Sequence, residues 1–159
     1  MAKTCILSPL GGILIDDDGQ RLCAIQILES AEMAPPGCQE PVPGTFAAET
    51  MRQIRAYFAD SSHVFDLPLA PASSARGAVL RAAIAAIPAG DTLSYGALAR
   101  MAGSGPRAIG QACARNPFPI VIPCHRVVGS GGAIGHYSAG RGVVTKSWLL
   151  DHERRGGLI

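Results

Sequence analysis

The stretch NPFPIVIPCHRV, residues 116–127, carries the most information about fold and chemistry in this sequence. Prolines bracket the apolar residues 120–122, and proline keeps itself and its predecessor extended and donates no N–H. The run therefore predicts a short, rigid, buried strand that delivers Cys124 at its end. A cysteine beside a histidine on a rigid support is typical of a catalytic nucleophile, whereas the alternative is a buried structural cysteine.

Cys124 and His125 can cooperate only if the backbone turns where they meet, because neighbours in an extended segment point to opposite faces. Glu153 bears on the same question. It lies near the end of a predicted helix over 143–153, where a carboxylate is ordinarily a solvated surface charge. Its alternative is to orient His125 as the acid of a Cys-His-acid relay.

The composition is that of a globular chain. A length of 159 residues with 48% hydrophobic side chains allows one domain or two small ones with a real core. No run approaches the roughly 18 apolar residues of a membrane span. The first residues, MAKTC, have no apolar signal core behind them. We therefore expect a cytoplasmic protein with no membrane partner.

The five cysteines are odd in number and irregular in spacing, at positions 5, 23, 38, 113 and 124. This pattern argues against a disulfide framework and predicts reduced thiols. Cys5 and Cys23 are placed to meet across two strands, but two thiols alone do not make a zinc site. We predict no metal.

The charge is divided unevenly along the chain. Residues 1–70 hold 4 Lys/Arg against 9 Asp/Glu, a net charge of −5, and residues 71–159 hold 10 against 3, a net charge of +7. A basic half joined to an acidic half suggests that one half faces a polyanion such as nucleic acid. Solvated basic faces are common, so charge alone does not decide this.

The first half predicts a small α+β module. Residues 4–28 read as strands separated by tight turns, and 33–44 is a loop rich in proline and glycine. Thr45 can cap a helix over 46–59, and alternating apolar residues at 65–69 predict a short strand. Nothing in this half suggests chemistry, so its predicted role is support.

The second half predicts helices. Apolar stripes indicate helices over 75–87 and 94–102, and Pro106 suits the first position of another over 106–115. The last two are joined by Gly103-Ser104-Gly105, which makes either a helix-turn-helix or an ordinary helical hairpin. The helix predicted over 106–115 consists mainly of small residues, with an arginine near each end. This composition is suited to close approach to a groove.

Several motifs together resemble the O6-alkylguanine-DNA alkyltransferases, also called methylated-DNA–protein-cysteine methyltransferases. The resemblance spans most of residues 87–153 and is carried by PCHRV at 123–127 after Asn116-Pro117, IPxGDTxSYGxLA at 87–99, RAIGQA at 107–112, GxYS at 135–138 and KxWLLxxE at 146–153. It implies an N-terminal ribonuclease H-like α/β module over 1–74. It also implies an α-rich domain over 75–159 with a winged or helix-turn-helix DNA-binding motif.

The resemblance implies direct-reversal DNA repair. Such proteins transfer the alkyl group of O6-alkylguanine to their own cysteine, here Cys124, irreversibly and once per molecule, after flipping the nucleotide out of the duplex. The helix-turn-helix would work in the minor groove of double-stranded DNA. We expect a monomer that needs no cofactor.

The resemblance also assigns roles to individual residues. His125, acting through a water and held by Glu153, would take the proton of Cys124, Tyr95 would protonate the leaving guanine, and Asn116 would brace the helix-turn-helix against the active-site segment. Arg107 would fill the gap left by the flipped base. The full set expected to contact DNA or the flipped base is Ser94, Tyr95, Arg107, Ala108, Gly110, Val127, Ser130, Tyr137 and Ser138.

Two other classes of function fit parts of this sequence. A cysteine hydrolase could use Cys, His and Glu as a triad, but it gives no role to the two-helix unit or to Arg107. A non-enzymatic DNA-binding regulator would tolerate Cys124→Ala, although the predicted recognition helix has few side chains that read bases. Stoichiometric self-modification distinguishes the alkyltransferase from both.

Overall fold

The computed structural model describes residues 2–29 and 38–154 and contains two groups of elements. The first group is a three-stranded sheet with one helix: β1 (Ala2–Ser8), β2 (Gly11–Asp17), β3 (Leu22–Ile27) and α1 (Phe46–Ala59). The second is mostly helical: α2 (Ala75–Ala85), β4 (Leu93–Ser94), α3 (Tyr95–Ala102), α4 (Pro106–Ala114), β5 (Val127–Val128) and α5 (Val143–Arg154), with 3-10 turns at Cys124–Arg126 and Ser130–Gly132. This mixed architecture is the one predicted.

The sheet is antiparallel in the order β1-β2-β3, with Cys5 opposite Leu14 and Ile15 opposite Ile25. It confirms the strands predicted within 4–28. The strand predicted over 65–69 is wrong: Leu69 forms only an isolated bridge to Leu22. Pro68 lies in this run and has no N–H to donate, so a regular ladder cannot continue through it. Part of the predicted 33–44 loop falls outside the described residues.

Helix α1 begins as predicted, with the Thr45 hydroxyl accepting a hydrogen bond from the Ala48 N–H at 3.2 Å. Its predicted apolar stripe, which includes Met51 and Ile54, is fully buried. The next turn carries Phe58, whose ring meets the Trp148 indole edge-on at 5.8 Å between centroids. One hydrophobic core therefore runs from the sheet through α1 to α5.

The prediction that the thiols are all reduced is wrong for one pair, because Cys5 and Cys38 form a disulfide with Cα atoms 6.0 Å apart. The neighbouring residue Gln39 holds Cys38 close to Cys5. The Gln39 carbonyl accepts a hydrogen bond from the Cys5 N–H at 3.0 Å, and Gln39 forms an isolated β-bridge with Thr4 of β1. Cys23, the partner considered from the sequence, is a free cysteine. Spacing along the chain carries no information about this neighbourhood.

Helices α3 and α4 are joined by three residues, as predicted, and differ from the predicted bounds by one residue. The Ser94 hydroxyl caps α3 by accepting from the Ala97 N–H at 3.0 Å. Gly103 ends the helix in the left-handed region at φ +66°, and the following N–H of Ser104 bonds back to the Ala99 carbonyl.

The strand predicted at 120–122 is wrong, since this segment is a buried turn. Ile120 has φ +75°, a conformation costly for a β-branched residue. Asn116 closes the turn from both sides: its Oδ1 accepts from the Phe118 N–H at 2.9 Å and its Nδ2 donates to the Ile122 carbonyl at 2.8 Å. Burial of Phe118 and Ile120, each at most 1% exposed, offsets the strain.

Across residues 2–29 and 38–154, no helix combines the length and the apolar character needed to cross a membrane.

Candidate active site

Cys124 opens the 3-10 turn that follows the buried turn and is 6% exposed. The Asn116 amide that holds the turn also donates to the Cys124 sulfur, with Nδ2 and Sγ 3.2 Å apart. Burial raises the pKa of the Cys124 thiol, and the Asn116 hydrogen bond and the Lys146 ammonium oppose that rise. The backbone does turn between Cys124 and His125, which is the condition for their cooperation.

His125 is completely buried, and its Nε2 lies 2.7 Å from Glu153 Oε2 at the end of α5. Burial lowers the pKa of His125, although Glu153 opposes this, and the balance favours the neutral imidazole. With Nε2–H donated to Glu153, the other ring nitrogen is free to accept a proton. That atom, Nδ1, is buried and has no hydrogen-bond partner within the described part of the chain.

Arg126 and Tyr57 also contact Glu153, and neither was assigned a role from the sequence. Arg126 donates from Nε to Oε1 at 2.8 Å and from Nη2 to Oε2 at 2.9 Å, and the Tyr57 hydroxyl donates to Oε2 at 2.6 Å. Burial favours protonation of Glu153, but the hydrogen bonds from His125 and Arg126 outweigh it and hold the pKa of that carboxyl far below its usual range. We call Tyr57, His125, Arg126 and Glu153 the relay cluster.

Tyr57 is the residue that sequence reasoning missed most clearly. It comes from α1, in the half that was predicted to provide support alone, and it is separated from Glu153 by 96 positions. A weak signal was available, because a tyrosine within a buried helical stripe needs a partner for its hydroxyl. The sequence could not say which partner.

A cavity of about 270 Å³ opens on the other side of Cys124. Its wall is formed by Tyr95, Gly110, Cys113, Ala114, Cys124, His136, Tyr137 and Ser138. Burial raises the pKa of Tyr95, so its phenol keeps its proton at neutral pH. The Tyr137 hydroxyl is buried without a partner among the described residues, and burial raises its pKa strongly. The cavity thus joins a thiol to two proton-bearing phenols.

Lys146 and Cys113 belong to this side of the site and were not predicted. Lys146 is fully buried on α5, and its Nζ donates to the Val127 carbonyl at 2.7 Å and to the His136 carbonyl at 3.1 Å. It therefore fixes the wall formed by the segment after β5. Cys113 is a second free thiol in the cavity, and burial together with Cys124 raises its pKa to about 12.

Several predicted site residues lie outside the cavity. Arg107 is exposed at the start of α4, Ser130 is exposed on its 3-10 turn, and Ser94 serves as a helix cap. Ala108 faces a different cavity of about 320 Å³ between α2 and α4. Val127 is buried, and its carbonyl is engaged by Lys146. The structure gathers Cys124, Tyr95, Gly110, Tyr137 and Ser138 around one space and leaves these others apart from it.

Within the described ranges, no group of three or more His, Cys, Asp or Glu side chains is arranged to hold a metal ion.

Comparisons with known proteins agree along nearly the whole chain. Residues 76–155 match the family model described as 6-O-methylguanine DNA methyltransferase, DNA binding domain, and residues 1–71 match its ribonuclease-like domain. The methylated-DNA–protein-cysteine methyltransferase of Homo sapiens is 36% identical over 169 residues, covering 96% of this chain and 80% of the relative. That of Mus musculus is 42% identical over 184 residues, covering 96% and 84%.

A solved structure of a similar protein has the same fold as this chain. The crystal structure of Mycobacterium tuberculosis OGT in complex with DNA superposes with a TM-score of 0.81 at 31% identity, covering 99% of this chain and 96% of that one. With two family models on its two halves and relatives of this identity and coverage, the chain belongs to the methylated-DNA–protein-cysteine methyltransferase family.

Proposed function

We propose that this protein repairs DNA by direct reversal, moving the alkyl group of O6-alkylguanine irreversibly onto Cys124, once per molecule. The observation that carries the proposal is the position of Cys124 between a cavity and a buried His125–Glu153 pair whose separation is 2.7 Å. The names of the relatives and the DNA complex of the mycobacterial protein support the same activity and the same partner.

The thiol needs help to ionise, because burial raises the pKa of Cys124 above its ordinary value. His125 supplies a base. Its Nδ1 accepts the thiol proton through a bridging water, and Glu153 remains ionised and stabilises the imidazolium that results. The unpartnered Nδ1 and the fully paired Nε2 support this assignment of the two ring nitrogens.

The thiolate then attacks the alkyl carbon in line. The sulfur–carbon bond forms as the carbon–O6 bond breaks, and guanine departs with a proton that Tyr95 donates to a ring nitrogen. The raised pKa of Tyr95 keeps the phenol available as the donor. Backbone groups of Cys124 and Val127, with Tyr137 and Ser138, read the guanine edge. No step calls for a cofactor.

DNA engagement falls to α3 and α4, which we infer act as a helix-turn-helix in the minor groove. Gly110 supports this, since a Cβ added there would meet nothing within 4 Å, so the protein's own packing does not require glycine. Small side chains at Gly110 and Ala108 permit close approach, and the exposed Arg107 replaces the flipped base in the stack. Ser94 and Ser130 add contacts to the DNA.

Asn116 links the two parts of this machinery. The residue lies two positions after the end of α4, and its amide donates to both the Ile122 carbonyl and the Cys124 sulfur. We infer that a shift of α4 on DNA reaches the thiol through this side chain. We also infer a supporting unit over 1–74 and an alkyltransferase unit over 75–159, acting as a cytoplasmic monomer.

The test is the intact mass of the protein after incubation with a duplex that carries one O6-methylguanine. We expect a gain of one methylene mass per molecule, mapped to Cys124 and absent from Cys124→Ala. Mapping also separates Cys124 from Cys113 and Cys23, the other free thiols among the described residues. An unchanged mass with intact DNA binding would overturn the proposal, and repeated turnover would favour a cysteine hydrolase.

A further inference from the structure

We propose that Tyr57, from the N-terminal unit, is a positioning residue for the transfer reaction, because its hydroxyl shares the Glu153 oxygen that holds His125. The inference deepens the proposed function and rests on it. Tyr57 touches neither the thiol nor the cavity, so any effect on the reaction passes through Glu153 and His125.

The sharing is visible in the distances to Glu153 Oε2. This single oxygen accepts from the Tyr57 hydroxyl at 2.6 Å, from His125 Nε2 at 2.7 Å and from Arg126 Nη2 at 2.9 Å. A carboxylate has about four acceptor sites over its two oxygens, so three donors on one of them compete for the same electron density. Each donor lowers the hydrogen-bonding strength left for the other two.

Packing around the Tyr57 ring holds its hydroxyl against Glu153 Oε2. Its side chain is fully buried, with its ring edge-on to Phe58 at 5.5 Å and to His152 at 5.2 Å, and tilted toward Phe65 at 5.9 Å. The Tyr57 carbonyl also accepts from His152 Nε2 at 2.9 Å, which ties α1 to α5 one position before Glu153. Burial and the Glu153 charge raise the pKa of Tyr57, so it remains a donor.

The change Tyr57→Phe isolates the hydroxyl, because the ring and its packing remain. Glu153 Oε2 then becomes a stronger acceptor for His125, which stabilises the protonated imidazole and raises the pKa of His125. A base that is already protonated cannot take the thiol proton. The fall of the transfer rate on the acid side of its pH profile, which we call the acid limb, therefore moves to higher pH. No other titratable group near His125 is replaced in this variant: Cys124 remains next to it in the chain, and Arg126, Lys146 and Glu153 still act on its charge.

Two readouts are measured across about pH 5 to 8, the range in which histidine titrates. The first is the single-turnover rate of methyl transfer from an O6-methylguanine duplex. The second is alkylation of Cys124 by iodoacetamide without DNA, followed by peptide mass. The matched control is Phe65→Leu, which removes an aromatic ring next to Tyr57 without touching Glu153.

For Tyr57→Phe we expect the acid limb to move up by about 0.7 pH, the shift that one ordinary hydrogen bond represents, so transfer at a fixed pH on the acid limb should fall about fivefold and transfer at neutral pH should change by about twofold or less. The pH profile of alkylation by iodoacetamide should move in the same direction. The control Phe65→Leu should lower the free energy of unfolding and leave the acid limb at its wild-type pH. The inference is overturned if Tyr57→Phe keeps the wild-type profile in both readouts, or if Phe65→Leu shifts the limb equally. Failure of wild type to methylate Cys124 would instead refute the proposed function, and the iodoacetamide profile would still test Tyr57.

Discussion

The relay cluster lies on one side of Cys124 and the cavity on the other, and the two differ in how their polar atoms are paired. In the relay cluster His125 Nδ1 alone lacks a partner among the described residues, and the other side-chain nitrogens and oxygens are engaged within the protein: both Glu153 oxygens, the Tyr57 hydroxyl, three Arg126 nitrogens and His125 Nε2. In the cavity the Tyr137 hydroxyl has no partner among the described residues. The relay cluster is the more firmly held side, and the cavity of about 270 Å³ is the side with space for another molecule.

The largest effect should come from breaking the fixed side with Glu153→Gln. This leaves the buried Arg126 without its counter-charge, which costs about 3–5 kcal/mol of unfolding free energy. His125 also loses its anchor, so we expect methyl transfer to slow by about a hundredfold or more. Urea unfolding and single-turnover kinetics measure the two losses. Glu49→Gln, at an exposed carboxylate, is the control and should change neither.

A smaller effect should follow from acid. The pKa of Glu153 is lowered by folding, so its ionised form contributes stability that is complete above its unfolded value, about 4.3, and is lost as pH falls below that value. The free energy of unfolding should therefore fall more steeply with acid in wild type than in Glu153→Gln. Parallel curves for the two proteins below about pH 4 would contradict this.

Asn116→Ala tests the boundary between the two sides. It leaves the Ile122 carbonyl unpaired inside the buried turn, at a cost of about 2 kcal/mol. It also removes the hydrogen bond that lowers the pKa of Cys124, so the pKa of the thiol should rise. Iodoacetamide labelling of Cys124 against pH measures that rise. Gln111→Ala, at an exposed position of α4, should leave labelling unchanged.

The smallest effect should come from the open side. Cys113→Ala removes a half-buried sulfur from the cavity wall, so the unfolding free energy should drop by about 1 kcal/mol or less. The rate of methyl transfer should stay within about twofold of the wild-type rate. The rate of transfer from O6-benzylguanine should rise relative to the methyl-transfer rate, because the cavity is larger. Cys23→Ala, outside the cavity, is the control. Equal losses with both substrates would mean that Cys113 takes part in the chemistry.

The structural features that the sequence predicted correctly have local causes. Thr45 caps α1 through a hydrogen bond to a residue three positions away, so composition and spacing were sufficient. The contact of Glu153 with His125 was expected from the family resemblance and is present. The catalytic roles of these residues remain predictions.

What the sequence did not predict depended on distant partners or on side chains that replace backbone hydrogen bonds. The apolar run at 120–122, which prolines flank, has the composition of a strand, but the Asn116 amide makes a turn there more favourable. Cys38 reaches Cys5 across 33 positions, and Tyr57 reaches Glu153 across 96. No periodicity in the chain encodes such distances.

The bond between Tyr57 and Glu153 limits how far this protein can be trimmed. A fragment beginning near residue 75 would retain Cys124, His125, Glu153 and helices α3 and α4. It would also expose the α5 surface that carries Trp148, His152 and Glu153 to water, where α1 now covers it. Anyone shortening this chain into a self-labelling tag should keep α1 with it.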